Sequence, residues 1–287
     1  MSEATLYQAV KQLAGATHAL QDVSLDLEWT WRDHDEGLRF ALLGTYHELR
    51  DLSVTLAAGR LAKGIPLTVA QHVLGQYHAA FRDLEAILLG AGDGDLDRIP
   101  AEDEWPLRQI LAHMIAADRG FFALVYYAVD QHRSGLQPSR PSAEDRQSLY
   151  GPGEDFDQVL DNGSLAAIQD YHQALHSRIL HELAELSQDE LWAPSRFWEP
   201  EPLPVRYRLH RFDAHLRQHT IQVEKTLAAI GHVPSEALRL LRLVYNALAE
   251  VEGSLLGAWD FGYTQQSKLA ATIVDRSDDV AVIASRR

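Results

Sequence analysis

The stretch HRFDAHLRQHTIQVE, from His210 to Glu224, places three histidines within ten residues, and two of them, His215 and His219, are four apart. Side chains four apart on a helix have Cβ atoms about 5–6 Å from each other. Two such imidazoles can converge on one ion, with metal–nitrogen distances of about 2.0–2.1 Å for zinc. Helical phase sorts the three. Leu209, Phe212, Leu216, Val223, Leu227 and Ile230 form an apolar stripe that contains His219 and is flanked by His215, while His210 lies nearly opposite, toward solvent. Two ligands do not complete a site, so a third must come from another helix.

His113 is the natural third ligand, because it sits at the edge of a second stripe made of Leu107, Ile110, Met114, Ala117, Phe121 and Leu124. A lone histidine there would read as a semi-buried side chain bonded to a carbonyl or to Asp118. His172 and His176 form a rival pair of the same spacing, with His172 facing the stripe of Ile168, Leu175, Ile179, Leu183 and Leu186 and His176 to one side. Spacing alone does not choose between the two pairs. His18, His132, His181 and His232 read as surface residues. Three neutral imidazoles leave at least one position open on a divalent ion, as catalytic sites do. A water or thiol bound there would have its pKa lowered. Asp118, Asp213 or Glu224 could orient a ligand histidine. Imidazole suits zinc, nickel, iron or copper.

Other chemistries lack their residues. No Glu-x-x-His occurs, which a ferritin-like di-iron site would need. His181-Glu182 is followed by Leu-Ala-Glu rather than completing a zinc-protease motif, and no GxSxG, phosphate-cradling GxxxxGK[ST] or dinucleotide fingerprint is present. Cysteine is absent. Any metal must therefore be held by His, Asp or Glu, and any thiol must arrive as a cosubstrate. The formal net charge of −15 argues against a phosphate backbone as partner. Arg206, Arg208, Arg211 and Arg217 form the densest basic run, with Glu199, Glu201 and Asp213 in or beside it. It reads mainly as a solvated mixed-charge face, with an anchor for an anionic small substrate as the alternative.

The elements that must position these residues are helical, because apolar residues recur at three- and four-residue spacing and strict alternation is scarce. Helices are expected over about Glu3–Gln21 and Glu36–Ala62. A capping box at Thr68–Gln71 opens another that runs to about Leu89. Pro106 begins the helix that carries His113 and ends near Arg133 before Gly135. The stretch from about Ser134 to Gly163, with Pro138, Pro141 and Pro152, is long for a loop and reads as a crossover between parallel helices. Helices then follow over about Leu165–Leu186, a short turn at Ser187–Glu190, Val205–Ile230 and Ser235–Ala258. Ala271–Ala284 reads as a small hairpin or a frayed tail. The segment opening Met1-Ser2-Glu3-Ala4-Thr5 lacks a basic n-region, and no apolar run reaches the roughly 18 residues of a span, so a cytoplasmic, non-membrane protein is expected.

Taken in order, these features resemble the DinB/YfiT-like superfamily. They are Leu88-Leu89 before a Gly/Asp loop, Trp105-Pro106-Leu107 with a histidine eight residues after the tryptophan, the crossover, a helix closed by Leu186-Ser187-Gln188-Asp189-Glu190-Leu191, and His215-x-x-x-His219. The resemblance covers about Pro66 to Val233. It implies an all-α fold, an up-down-down-up four-helix bundle over 64–233, with additional helices in an N-terminal extension (1–63) and a C-terminal helix and tail (234–287). It also implies a divalent metal (Zn, Ni or Fe) held by His113, His215 and His219, and so prefers this set to His172 and His176. The family's thiol-dependent members suggest a bacterial S-transferase or hydrolase for a small molecule, with a low-molecular-weight thiol as cosubstrate. A non-catalytic, metal-binding stress-response or partner-binding protein is the alternative. Homodimers are expected; nucleic acid and membrane are not expected partners. The segments flanking the bundle depart from the simple family pattern, and they leave no room for the catalytic domain that accompanies the family's ergothioneine-type proteins.

Overall fold

The structure is a computed structural model and describes residues 5–31, 34–150 and 156–285. Eleven α-helices and two short antiparallel strand pairs are found among them. In chain order they are α1 (Leu6–Thr17), β1 (Glu28–Trp31), β2 (His34–Gly37), α2 (Arg39–Ala62), α3 (Val69–Ile87) and α4 (Leu107–Arg133). There follow α5 (Ala143–Tyr150), α6 (Phe156–Asn162), α7 (Leu165–Leu183), α8 (Gln188–Leu191), β3 (Pro194–Ser195), β4 (Leu203–Pro204), α9 (Val205–Ala229), α10 (Glu236–Gly253) and α11 (Tyr263–Ala284). None of the described helices is long and apolar enough to cross a membrane.

The chain packs as two units. One comprises Thr68–Phe81 and Gly92–Gly231, the other Met1–Leu67, Arg82–Ala91 and His232–Arg287. The continuous helix α3 contributes residues to both.

In the first of these units, side-chain contacts fix the helix directions. Gln71 Nε2 donates to the Ala184 carbonyl at 3.2 Å, His78 meets His176 at 2.9 Å, and Phe81 stands edge-on to His172. The contacts descend α7 as they climb α3, so these two helices are antiparallel. Arg108 donates to the Gly163 carbonyl just before α7, Arg119 to Tyr171, and Arg133 to Glu190 just after it. Here the numbers rise together, so α4 and α7 run parallel, as the crossover expectation requires. His113 packs on His219 and Phe121 on Phe212, which makes α9 antiparallel to α4. The order is up-down-down-up.

Local chemistry sets the helix ends. Ser164 caps α7 by accepting from the Ala167 amide, and Ser187 and Glu190 form a capping box on α8. Pro106 and Pro204 stand at the N-caps of α4 and α9, where a missing N–H costs no helical hydrogen bond. The buried face of α9 consists of Val205, Leu209, Phe212, Leu216, Val223 and Leu227, with Arg208, His219, Thr220 and Thr226 among them.

The other unit is built by α1, α2, α10 and α11 around a core that includes Leu13, Leu49, Leu56, Leu248 and Ile273. The N- and C-terminal segments thus share one core. Arg82 is 3% exposed and is neutralised by Glu85 and Glu252 of this same unit.

Several sequence expectations change. The first helix is shorter than Glu3–Gln21, and Glu3 lies outside the described residues. The helix expected from Glu36 begins at Arg39, after a hairpin that pairs Glu28 with Gly37 and Trp31 with His34. Trp29 and Trp31 stack in it at 5.4 Å. The crossover is not wholly irregular, since it holds α5 and α6; Pro152 lies outside the described residues. Ala271–Ala284 is neither hairpin nor tail but the end of α11. Ala270, Ile273, Ser277 and Val280 fall on one buried helical face, and Arg276, 1% exposed, contacts Thr45 and Glu48. Two polar side chains on the buried face hid the helical period, and β-branched residues imitated strands.

Candidate metal centre

His113 stands on the second turn of α4, and His215 and His219 stand on successive turns of α9. The antiparallel packing of these helices brings all three together. A possible ligand nitrogen from each lies within 4.8 Å of those of the other two. The ring centroids are 4.4 Å apart for His215 and His219, 4.6 Å for His113 and His219, and 5.0 Å for His113 and His215. Nε2 of His215 is 3.1 Å from Nε2 of His113. Two nitrogens about 2.0–2.1 Å from one ion at a tetrahedral angle would lie about 3.4 Å apart, so this pair already has ligand spacing. Among the described residues, no other group of three His, Asp or Glu side chains is placed to hold an ion.

The surroundings favour the neutral form of His113 and His215. His219 is 8% exposed, and His113 and His215 are half-buried. Burial, and then the neighbouring His219, lower the pKa of His113. Burial lowers that of His215 to about 4, with smaller contributions from His219, His113 and Arg211. Neutral imidazole is the form that binds a metal. Trp105 meets the His113 ring edge-on at 5.3 Å, and Phe121 meets His215 edge-on at 5.6 Å. These aromatic contacts limit how the two rings can turn.

The hydrogen bonds that orient the rings differ from the expected ones. His219 Nδ1 lies 2.8 Å from Oε1 of Gln222. An Nδ1–H donating to that amide oxygen leaves the Nε2 lone pair free for the centre. Gln222 is one turn along the same helix, a neighbour that the three-residue spacing could have revealed. Asp118 and Asp213 act elsewhere. Asp213 pairs with Arg217 at 2.6 Å. Asp118, fully buried, accepts from Tyr77 Oη at 2.7 Å and faces His172 Nε2 at 3.1 Å. Nδ1 of His215 is buried without a hydrogen-bond partner among the described residues, so its ring is held by packing and by the contact of its Nε2 with His113.

The rival pair is core. His172 and His176 are 4% and 0% exposed. His176 is therefore not off to one side, because α7 packs against α3 as well as α4. Phe81 stacks on it at 3.9 Å, and its Nε2 faces His78 Nδ1. His210 is exposed, as its helical phase predicts.

The arginines near the centre have separate roles. Arg208 is 2% exposed and binds both carboxylate oxygens of Glu199, at 2.6 and 2.8 Å, and Ser195 Oγ at 2.9 Å. It ties the segment after β3 to the first turn of α9, and it holds the Glu199 carboxyl below its ordinary pKa. Arg217 pairs with Asp213 along the helix. Arg211 lies one turn before His215, its guanidinium 5.6 Å from the Phe121 ring centre.

A model of the DinB superfamily matches residues 76–223, a segment that contains all three clustered histidines. The chain belongs to the DinB superfamily. No curated protein and no solved structure matches it. Within this DinB-superfamily chain the three histidines could hold a metal ion, and the donor set fits one. All three are neutral-capable nitrogens from rigid helices, and no thiolate is available.

Proposed function

We propose that this chain is a divalent-metal-dependent enzyme of the DinB superfamily. It acts on a small molecule by thiol-dependent transfer or by hydrolysis, and His113, His215 and His219 are the metal ligands. The observation that carries the reading is the convergence of three imidazoles from two antiparallel helices. Three protein ligands leave a coordination position for water or substrate. A divalent ion bound there would lower the pKa of a coordinated water or thiol and so provide a nucleophile at neutral pH. The protein's own work is positional. Gln222 sets the tautomer of His219, and Trp105 and Phe121 fix the planes of His113 and His215. Without cysteine, the chain has no thiol nucleophile of its own, so a thiol would arrive as cosubstrate.

The test is elemental analysis of the purified protein beside the His215→Ala/His219→Ala double variant, followed by turnover with a panel of thiols and electrophiles. Near-stoichiometric metal in the wild type alone, together with turnover lost in the variant, is the expected result. Equal trace metal in both proteins would overturn the metal reading. Metal without turnover would favour a non-catalytic metal-binding role.

A further inference from the structure

We infer that the substrate of this centre carries a carboxylate-like anionic group, and that Arg211 binds it. The inference rests on the metal-enzyme reading above and adds to it the class of substrate.

Arg211, His215 and His219 are spaced four apart along α9 and so lie on one face. The guanidinium of Arg211 is near the ring of Phe121, and the same ring meets His215 edge-on at 5.6 Å. A cation, an aromatic wall and the metal ligands thus follow one another along a single helix. Arg211 differs from Arg208 and Arg217 in lacking an ion-pair partner among the described residues. Arg208 holds Glu199 with two nitrogens and Arg217 holds Asp213, whereas Arg211 forms no ion pair or hydrogen bond among the described residues. Glu199 lies within electrostatic range of Arg211, but both of its oxygens already accept from Arg208.

The whole chain bears a formal net charge of −15, so its average field repels anions. A half-buried guanidinium without an ion-pair partner among the described residues, one turn from His215, adds positive charge beside the centre. Its planar fork matches a carboxylate with two parallel N–H donors. A molecule whose metal-binding atom and carboxylate are separated by a short chain would engage both ends.

Cobalt(II)-loaded protein gives a direct readout, since a thiolate that joins the ion produces a charge-transfer absorption. Three thiols with the same two-carbon spacer serve as probes: 3-mercaptopropionate, neutral 2-mercaptoethanol and cationic cysteamine. Wild type is expected to prefer 3-mercaptopropionate. Arg211→Met is expected to reduce its affinity about tenfold or more, the scale of a charge-assisted hydrogen bond, while 2-mercaptoethanol binding and cobalt content stay unchanged. Arg211→Lys keeps the charge and is expected to fall between the two. Should Arg211→Met keep the wild-type ratio between the anionic and neutral thiols with cobalt fully bound, the anchor is wrong and the metal centre stands. Failure of wild type to take up cobalt would remove both.

Discussion

Gln222 offers the sharpest test of how this centre is held. Its amide oxygen lies 2.8 Å from Nδ1 of His219, where it can fix that ring's tautomer. Gln222→Leu keeps the side-chain volume and the helix but removes the acceptor. Losing one net hydrogen bond costs about 1 kcal/mol, roughly fivefold in affinity. The freed ring must also be ordered by the metal itself, and loss of such orienting partners typically weakens metal binding by about 10–100-fold. The expected zinc dissociation constant for Gln222→Leu is therefore about tenfold above wild type. Gln222→Glu supplies an anionic acceptor, makes His219 a more basic ligand and is expected to bind zinc more tightly than wild type. Competition against a chromophoric chelator at neutral pH measures both, with circular dichroism confirming the fold. Zinc affinity of folded Gln222→Leu within about twofold of wild type would refute the argument, since even the lone hydrogen bond predicts more than that.

Two further outcomes follow from the polar groups around the centre. Asp118→Ala leaves the Tyr77 hydroxyl and the His172 ring without their shared acceptor and is expected to cost about 2–4 kcal/mol. In urea unfolding, Tyr77→Phe added to Asp118→Ala should cost less than the sum of the single changes, and simple additivity would contradict the shared-acceptor account. Arg208 lowers the pKa of Glu199. The carboxylate's contribution to stability is therefore complete above the unfolded glutamate value of about 4.3 and is lost as pH falls through the lower folded value. The melting-temperature gap between wild type and Glu199→Gln should hold constant from neutral pH down to that point and then close, and a gap that widens in acid would exclude the assignment.

Helical phase made much of the centre readable. The stripe on α9 put His219 inward, His215 on the flank and His210 in solvent, and the structure places them so. The Glu28–Gly37 hairpin, although it carries the alternation of Trp29 and Trp31 against Glu28 and Thr30, spans only four residues per strand. That is too short for periodicity to stand out between helices. The orienting role expected of Asp118 failed for a different reason. Phase places a residue on a face but does not say which neighbour across the bundle will claim it, and Tyr77 and His172 come from α3 and α7. Gln222 needed no such long-range knowledge, only recognition that an amide can do what a carboxylate does.

The two HxxxH pairs show what separates a candidate metal site from a core polar network. Both sit on long helices of the same unit with the same spacing, so convergence of the imidazoles is available to each. At His172 and His176, Nε2 of each ring faces another protein group, Asp118 in one case and His78 in the other, and Phe81 stacks on His176 and meets His172 edge-on. At His215 and His219, His113 completes a set of three imidazoles whose candidate ligand nitrogens lie within 4.8 Å of one another. One proton shared between Nε2 of His113 and Nε2 of His215 joins that pair, and with Nδ1 of His219 donating to Gln222 the Nε2 lone pair of His219 is left for an ion. Charging His113 or His215 is opposed by burial and by the neighbouring imidazoles, and the three convergent nitrogens could hold a cation instead. Spacing brings the rings together in both places. The groups on the opposing helix decide whether their nitrogens are used within the protein or remain available to an ion.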